Sequence, residues 1–326
     1  MSPSVIISHA LPEAWLDKLR GRCQLIIGPE KGDGLAPELE SHLPVVEGIL
    51  TMLTVPVDED FLARTPKLRV VSNMAVGVDN IDLAACTRQD IPVGHTPGVL
   101  VESTADMTLT LLLAAARRLL EANGDAKGGR WTTWTPTAWL GADLYGATLG
   151  IVGMGKIGQA AAARARAFGM KIVYNSRSPK PEAEAELEAR WLPFDDLLAQ
   201  SDFVSLHTPL TPETRHLIDA AALRCMKPTA ILVNMARGPV VDTDALVQAL
   251  QEGWIQAAAL DVTDPEPLPA DHILYRFRNC LIAPHIGSAT QHTRRRMAEL
   301  ACENLLAGLN GRRLLHCANP QVYESL

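Results

Sequence analysis

The sequence predicts an α/β protein made of a doubly wound parallel-sheet domain and a second, smaller α/β domain. From residue 147 onward, strand and helix patterns alternate, as in "ATLGIVGMG", "KIGQAAAARARAFG" and "KIVYNS". At least six strands with crossover connections are expected there, which is typical of a dinucleotide-binding fold. The first third of the chain carries its own alternation of short strands and helices, which indicates a small parallel unit.

The chain length and the order of the elements predict a discontinuous domain. A chain of 326 residues suits two domains. The last helical pattern, "SATQHTRRRMAELACENLLAGLNG", follows the complete second fold, so we expect it to return to the first domain. The predicted boundaries are therefore 1–100 plus 290–326 for a substrate domain and 101–289 for a dinucleotide-binding domain.

Composition narrows the class of protein. The chain is 47% hydrophobic and 21% charged, with a formal net charge of −7, which disfavours a nucleic-acid-binding face. The six cysteines form no C-x-x-C pair and no metal-binding spacing, so we interpret them as reduced thiols of a cytoplasmic protein. The N-terminus lacks the pattern of a signal peptide, and no apolar run reaches the roughly 18 residues of a membrane span.

The first third contains four predicted strands, "SVIIS", "CQLIIG", "PVVEGILTML" and "LRVVSNMA", with helices at "PEAWLDKLRGR" and "DEDFLARTP". A long apolar helix is predicted over "ESTADMTLTLLLAAARRLLEANGDAK", with Ser103 or Thr104 as its cap. The segment after it, "GGRWTTWTPTAWLGADLYG", fits neither the helix nor the strand period, and we expect an extended arm. Its tryptophans could simply form an interface core.

A glycine pattern follows the first strand of the second alternation. Gly153, Gly155 and Gly158 match G-x-G-x-x-G, a weak motif alone but a stronger one between an apolar strand and an Ala-rich helix. Gly153 permits a tight turn, Gly155 a close approach to a pyrophosphate, and Gly158 close helix packing. The start of the helix favours a phosphate charge. The alternative is a glycine-rich turn without a ligand.

The segment "YNSRSPKP" bears on the choice of cofactor. In many such sites an acid about 20 residues beyond the glycines binds the ribose hydroxyls of NAD. Here the position carries Asn175, followed by Ser176, Arg177 and Ser178, and Lys180 adds positive charge. Arginine and hydroxyls can bind a 2′-phosphate, so NADP(H) is favoured and NAD(H) is expected to be a weaker substitute. A solvated basic turn is the alternative.

Three polar residues follow predicted strands of the second alternation, where ligands of open α/β sheets bind. They are Arg237, Glu266 and His285. Reduction of a 2-oxo acid needs a cation for the carboxylate, which Arg supplies, and a general acid, which His supplies. A carboxylate beside the imidazole stabilises its protonated form. Taken singly, each residue could instead be an ordinary turn, loop or strand-end residue, and spacing alone does not prove that they converge.

Several stretches, taken in order, resemble one known family. They are "VGVDNID", "GIVGMGKIG", "SLHTPLTPETRHLI", "NMARGPVVD", "ALDVTDPEPLP" and "PHIGSAT", and they extend over nearly the whole chain. The family is that of the D-isomer-specific 2-hydroxyacid dehydrogenases. Within it, "RWTTWTP", "AWLG" and "DVTDPEPLP" are similar to the glyoxylate/hydroxypyruvate reductases. The resemblance implies two Rossmann-like domains, the smaller one flavodoxin-like.

The resemblance also implies roles for individual residues. Arg237, Glu266 and His285 match the family's catalytic residues, and Arg237 and His285 also contact the substrate. Substrate binding is further implied for Leu53, for the backbone at Val76 and Gly77, and for Trp139 reaching in from the partner subunit of a homodimer. Cofactor contacts are implied for Thr104, Gly153, Met154, Gly155, Lys156, Ile157, Gly158, Asn175, Ser176, Arg177, Ser178, Thr208, Pro209 and Asp261.

The expected activity is NADPH-dependent reduction of glyoxylate and hydroxypyruvate to glycolate and D-glycerate. Three alternatives stay open on sequence grounds. They are a reductase of longer sugar-derived acids such as 2-keto-gluconate, a non-catalytic dinucleotide-sensing protein, and an NAD-linked dehydrogenase working in the oxidative direction. Met235, where a smaller or polar residue is commoner in the family, and the stretch "TMLTVPVDEDFL" depart from the family pattern. The second departure weakens any conclusion about the substrate's chain length.

Overall fold

The structure is a computed structural model that describes residues 2–324. The chain divides into two compact units, Met1–Leu100 with Thr290–Leu326 (unit 1) and Val101–Ala289 (unit 2). Strands β1–β12 and helices α1–α10 are numbered in chain order. Each unit is an α/β body around its own parallel sheet, as the sequence predicted for the fold class.

Unit 1 contains a five-stranded parallel sheet in the order β2-β1-β3-β4-β5. That order is the flavodoxin-like form of a doubly wound sheet. Its central strands are fully buried β-branched and leucine runs, which is what helices on both faces of a parallel sheet require. The strands are Ser4–Ile7, Gln24–Ile27, Gly48–Thr51, Val70–Asn73 and Val93–Gly94, and the helices are α1 Glu59–Ala63, α2 Leu83–Arg88 and α10 Gln291–Leu309.

The C-terminal helix α10 packs on the unit 1 sheet because small and polar residues let it approach closely. A β-carbon built on Gly308 would lie 2.5 Å from Cγ2 of Val70, so only glycine fits at this crossing. The hydroxyl of Ser72 donates to the Ala301 carbonyl at 2.8 Å, which joins β4 to the helix. The C-terminal helix thus belongs to the same unit as the first 100 residues.

Unit 2 contains a seven-stranded parallel sheet in the order β12-β11-β10-β9-β6-β7-β8. The chain order reverses between β6 and β9, which is the switch point where such sheets bind ligands. The strands are Thr148–Val152, Lys171–Asn175, Arg190–Trp191, Phe203–Leu206, Ile231–Asn234, Ala257–Leu260 and Cys280–Ile282. The helices are α3 Val101–Ala116, α4 Leu119–Lys127, α5 Lys156–Ala167, α6 Pro181–Leu187, α7 Phe194–Gln200, α8 Ala220–Cys225 and α9 Thr243–Glu252.

The long helix predicted at the start of unit 2 is interrupted, and the predicted cap is wrong. Helix α3 begins at Val101, so Ser103 and Thr104 lie buried inside its first turn. The helix ends at Ala116, and Arg118 adopts a left-handed conformation with φ 48° before α4 begins. The Ala142 N–H of the following arm donates to the free Ala116 carbonyl at 2.8 Å. The helix therefore ends at a point where its apolar periodicity continues, and the arm supplies the partner of its last carbonyl.

The helix predicted at "PEAWLDKLRGR" is also largely absent. Only Glu13–Trp15 forms a 3-10 turn there, and the rest of the stretch is a series of turns. The short strands β5 and β8, of two residues each, escaped prediction because two residues show no period. Along residues 128–146 the arm forms neither helix nor strand, and no helix in residues 2–324 is long and apolar enough to cross a membrane.

Candidate functional site

The glycine turn of unit 2 follows β6 at the switch point of the sheet. Gly153 has φ 102°, a conformation that side chains rarely adopt, and a β-carbon there would lie 2.7 Å from the backbone of His207. A β-carbon on Gly158 would overlap the carbonyl oxygen of Gly153. Both positions therefore require glycine for structural reasons, and they bring the start of α5 against the sheet.

The start of α5 presents an unfilled set of backbone donors. Gly155 is the N-cap residue and supplies no side-chain cap, so the first N–H groups of this helix have no partner within it. A β-carbon on Gly155 would meet no atom within 4 Å, which leaves open space beside these donors. Met154, within the same turn, is buried. The helix dipole adds partial positive charge at the same point.

Two buried polar atoms line the neighbouring strand end. Within residues 2–324, Oγ1 of Thr208 and Nδ1 of His207 have no hydrogen-bond partner. A buried polar atom without a partner costs roughly 1–3 kcal/mol, so a polar ligand beside Thr208 would relieve a cost. Burial holds the His207 imidazole neutral by lowering its pKa to about 4. Together, the free helix donors, the open space and the Thr208 hydroxyl fit the pyrophosphate of a dinucleotide.

The next strand end carries the segment that the sequence linked to the cofactor ribose. The Gly153 N–H donates to the Asn175 carbonyl at 2.9 Å, which joins this segment to the glycine turn. The Asn175 side-chain amide donates to the Leu192 carbonyl at 2.8 Å, and the Ser176 hydroxyl donates to the Ser178 carbonyl at 2.7 Å. The Ser176 proton is therefore already engaged. Arg177 is exposed and forms no ion pair with residues 2–324.

His285 and Glu266 are in direct contact. Nδ1 of His285 lies 2.6 Å from Oε1 of Glu266, and both side chains are partly exposed. His285 follows β12 and has φ 52°, an unusual left-handed conformation for a non-glycine residue. Because Nδ1 faces the carboxylate, Nε2 is the ring nitrogen on the side away from Glu266. This pairing is the one that the sequence could suggest but not demonstrate.

Asp261 fixes the backbone around His285. Its buried carboxylate accepts the N–H groups of Ile286 and Gly287, both at 2.8 Å, and its carbonyl accepts the His285 N–H at 2.9 Å. Burial raises the pKa of the Asp261 carboxyl, while the two N–H donors oppose that shift. A β-carbon on Gly287 would lie 2.9 Å from Oδ2 of Asp261 and 3.5 Å from Cγ2 of Thr104, so the two predicted cofactor residues Asp261 and Thr104 lie on either side of Gly287.

Arg237 lies on the turn after β10, and that turn packs on the loop that carries Glu266. A β-carbon on Gly238 would overlap the Thr263 carbonyl, so the turn requires glycine here. The Thr263 N–H donates to Oε2 of Glu266 at 3.2 Å. Asn234 is buried and donates from its side chain to the Arg237 carbonyl at 2.9 Å. The structure thus brings the Arg237 turn, the Glu266 loop and His285 to one edge of the sheet.

Leu53 in unit 1 lies half-buried in a short loop after β3. Asn80 spans this loop, since its side-chain amide donates to the carbonyls of Met52 at 3.1 Å and Val55 at 2.8 Å. Sequence reasoning missed Asn80, although a polar residue inside the quoted motif "VGVDNID" was a visible signal.

Val76 and Gly77 follow β4 in the same unit. The Asn73 side chain donates to the Gly77 carbonyl at 2.9 Å and to Oδ1 of Asn80 at 3.2 Å. Nδ1 of His95 lies 3.0 Å from the Val76 carbonyl. The carbonyls of both residues are therefore held by side chains. Since a trans peptide directs the next N–H away from the carbonyl, the Gly77 N–H points away from His95.

Trp139 lies in the arm and has a partner within its own chain. Its indole Nε1–H donates to Oδ2 of Asp125 at 2.8 Å. The same carboxylate accepts from Arg130 and Arg278, and together the Trp139 and Arg130 bonds lower the pKa of Asp125 to about 2. Sequence reasoning missed this cluster because Arg278 is 153 residues from Asp125 along the chain and the arm with Arg130 and Trp139 has no periodic pattern.

The fold and the arrangement of the candidate site together indicate a class of protein. A doubly wound sheet with a glycine turn at its switch point and a paired histidine and carboxylate at the neighbouring strand ends indicates a dinucleotide-dependent oxidoreductase. The family model described as "D-isomer specific 2-hydroxyacid dehydrogenase, NAD binding domain" matches residues 109–287. The chain belongs to the D-isomer-specific 2-hydroxyacid dehydrogenases, and it is an oxidoreductase with a nicotinamide dinucleotide cofactor.

Similar proteins agree with that assignment. The chain is 49% identical over 315 residues to a glyoxylate reductase of Thermococcus gammatolerans, covering 95% of this chain and 94% of that one. The crystal structure of the TT0316 protein of Thermus thermophilus matches with a TM-score of 0.90 and 47% identity over 97% of this chain and 99% of that one. An NADPH-dependent glyoxylate/hydroxypyruvate reductase of Sinorhizobium meliloti, in complex with NADP and malonate, matches with a TM-score of 0.86 and 30% identity over 98% of each chain.

Proposed function

We propose that this enzyme is an NADPH-dependent reductase of small 2-oxo acids, with glyoxylate and hydroxypyruvate as substrates and glycolate and D-glycerate as products. The names of its relatives support the substrate class, since the Thermococcus gammatolerans protein is a glyoxylate reductase and the Sinorhizobium meliloti protein is a glyoxylate/hydroxypyruvate reductase. The observation that carries the proposal is the 2.6 Å contact of His285 with Glu266 beside the Arg237 turn.

The proposed mechanism assigns one task to each side chain. The dinucleotide, when bound, supplies the hydride that reduces the carbonyl carbon. Nε2 of His285 donates a proton to the carbonyl oxygen, because Nδ1 is held by Glu266. Glu266 holds Nδ1 of the ring and places a carboxylate beside it. Arg237 binds the substrate carboxylate and polarises the carbonyl, a task that suits the planar guanidinium fork.

Further contacts of the proposed site keep the roles that the family resemblance implies. Leu53 and the backbone of Val76 and Gly77 are proposed as substrate contacts. Asp261 is proposed to face the nicotinamide carboxamide. The remaining proposed cofactor contacts are Thr104, Gly153, Met154, Gly155, Lys156, Ile157, Gly158, Thr208 and Pro209.

The proposed preference for NADP(H) rests on the segment after β7. Asn175 stands where an acid would repel a 2′-phosphate, and its side-chain amide is already bonded to the Leu192 carbonyl. Arg177 is exposed and without an ion pair among residues 2–324, so its guanidinium is available for charge-assisted hydrogen bonds to a phosphate. NAD(H) is proposed to bind more weakly.

A matrix of kcat/KM values for NADPH and NADH against glyoxylate, hydroxypyruvate and 2-keto-gluconate tests the proposal. We expect the highest values for NADPH with the two smaller acids.

A substitution at Arg177 tests the cofactor preference. Arg177→Ala should raise KM for NADPH far more than KM for NADH. The control is Arg276→Ala, at an exposed arginine of a 3-10 turn elsewhere, which should change neither KM. Equal effects of Arg177→Ala on both cofactors would overturn the NADPH assignment. The highest value with 2-keto-gluconate would overturn the substrate assignment, and absence of turnover despite tight NADPH binding would indicate a dinucleotide-sensing protein.

We also propose a cytoplasmic location, because that compartment keeps the six cysteines as thiols.

We further propose that the protein is a homodimer. Large apolar side chains are exposed on α4 and the arm, and exposed apolar side chains of this size support an interaction surface there. They are Leu119, Leu120, Trp131, Trp134 and Leu140. A partner's Trp139 is the proposed contact with the substrate. Light scattering should give twice the monomer mass, and a monomer at micromolar concentration would refute the dimer.

A further inference from the structure

The segment Asn175–Lys180, called here the ribose loop, is held in shape by two aromatic side chains outside it. Tyr174 is fully buried, and its hydroxyl accepts the Lys180 N–H at 2.6 Å while it donates to Oε1 of Glu184 at 2.8 Å. This one hydroxyl therefore ties the last residue of the loop to the strand residue that precedes it. Neither bond belongs to a helix or strand ladder, so both depend on this hydroxyl alone.

A second side chain holds the other half of the loop. The indole Nε1–H of Trp191 donates to the Ser176 carbonyl at 3.1 Å. Trp191 lies on β8 directly beside Tyr174 on β7, so both supports come from one pair of neighbouring strand residues. Arg177, between the two supported residues, points out into solvent without an ion pair of its own among residues 2–324.

Arg177 lies within electrostatic reach of the segment after β9. The pKa of Glu213 is lowered mainly by its hydrogen bond with Thr211, and Arg177 contributes a further lowering. Glu213 lies in the segment that begins with Thr208 and Pro209. The ribose loop is also joined to the glycine turn directly, because the Gly153 N–H donates to the Asn175 carbonyl at 2.9 Å.

We propose that Tyr174 and Trp191 are positioning residues for the discrimination between phosphorylated and unphosphorylated adenosine ribose. The inference rests on the proposed function, because it assigns the 2′-phosphate to Arg177. Binding of a phosphate requires the backbone that carries Arg177 to be ordered, so a loop that is already anchored lowers the entropic cost of placing this side chain. Without the anchors the adenosine and pyrophosphate contacts remain, and only the 2′-phosphate contact weakens.

The experiment measures binding of two fragments, adenosine 2′,5′-bisphosphate and 5′-AMP, by calorimetry on the full chain. Tyr174→Phe removes one hydroxyl and keeps the ring in the core, and Trp191→Phe removes the indole N–H. Each substitution should raise the Kd of adenosine 2′,5′-bisphosphate by about threefold to tenfold, the scale of one hydrogen bond, and change the Kd of 5′-AMP by less than about twofold. Matched controls are Tyr323→Phe, whose hydroxyl accepts the Leu314 N–H at 2.9 Å, and Trp254→Phe, whose indole donates to Glu252.

The outcomes separate this inference from the proposed function. The NADPH assignment fails if the wild-type protein binds adenosine 2′,5′-bisphosphate no more tightly than 5′-AMP, or if Arg177→Ala leaves this preference intact. This inference then fails with it. If Arg177→Ala abolishes the preference while Tyr174→Phe and Trp191→Phe preserve it, only the positioning role is overturned. If the Tyr174 and Trp191 variants lose affinity equally for both fragments and have a lowered Tm, the two side chains have a structural role alone and the inference is overturned.

Discussion

Nδ1 of His285 lies 2.6 Å from Oε1 of Glu266, so the imidazole has a fixed orientation and a negative charge against one nitrogen. Glu266→Gln keeps a hydrogen-bonding oxygen and removes the charge. We expect kcat to fall by about tenfold, because a hydrogen bond to a carboxylate contributes roughly 1–1.5 kcal/mol more than one to a neutral amide. Steady-state kinetics of both proteins at saturating glyoxylate measure this effect. An unchanged kcat would mean that Glu266 only orients the ring.

Removal of the proposed general acid is the most direct test of the mechanism. His285→Ala should lower kcat by ~10²–10⁴, the usual scale of general acid catalysis. The control is His292→Ala, since His292 is an exposed histidine on helix α10. Steady-state kinetics at saturating substrate measure the change, and a kcat close to that of the wild type would exclude His285 as the acid.

Arg237 should not tolerate lysine, even though the charge is kept. Lysine is a point charge and cannot form the two parallel hydrogen bonds of a guanidinium with a carboxylate. We expect Arg237→Lys to lower kcat/KM for glyoxylate by at least about tenfold, corresponding to the roughly 1.4 kcal/mol that one charge-assisted hydrogen bond contributes. An unchanged kcat/KM would remove Arg237 from carboxylate binding.

Asp261 has a positioning role that can be separated from its charge. Both carboxylate oxygens accept backbone N–H groups, from Ile286 and Gly287. In Asp261→Asn one oxygen becomes an NH2 group that faces a backbone donor, so one acceptor is lost and the His285 turn is no longer fixed. We expect kcat to fall by about tenfold or more, the scale of an unsatisfied buried donor. Asp271→Asn, at an exposed acid, is the control, and a kcat that survives in Asp261→Asn would contradict this role.

The sequence predicted the elements whose signals are local. The β-branched runs predicted the main strands of both sheets, and the glycine spacing predicted the turn before α5, whose Gly153 has φ 102°. The break at Arg118 could not be predicted, because apolar periodicity continues through it. At the end of α3 the Ala116 carbonyl accepts the Ala142 N–H, a contact with the arm that the periodicity of the helix does not record.

The candidate site shows the same division. Residue types at strand ends were enough to single out Arg237, Glu266 and His285, but not to show that two of them touch. His285 has a left-handed backbone with φ 52°, and its contact with Glu266 joins two loops that no local pattern of the sequence relates. Two contacts support Arg237, and both are likewise set by packing between loops. Asn234 donates to the Arg237 carbonyl, and Gly238 packs against Thr263.

His207 makes the stability of unit 2 sensitive to mild acid. Burial lowers its pKa from 6.5 to about 4, since its Nδ1 has no partner among residues 2–324 and Nε2 meets only the Ser205 hydroxyl, at 2.9 Å. Between about pH 6.5 and 4 the unfolded chain binds a proton that the folded chain excludes. This group's contribution to stability is therefore fully present above pH 6.5 and is lost as the pH falls toward 4.

Thermal unfolding measured from pH 7 to pH 5 tests this dependence. His207→Gln has no group that titrates in this range, so its Tm should fall less on acidification than the wild-type Tm does. His292→Gln, at an exposed position, should keep the wild-type slope. Identical slopes for all three proteins would mean that the buried imidazole accepts a proton without cost, and the assignment of the acid sensitivity to His207 would be wrong.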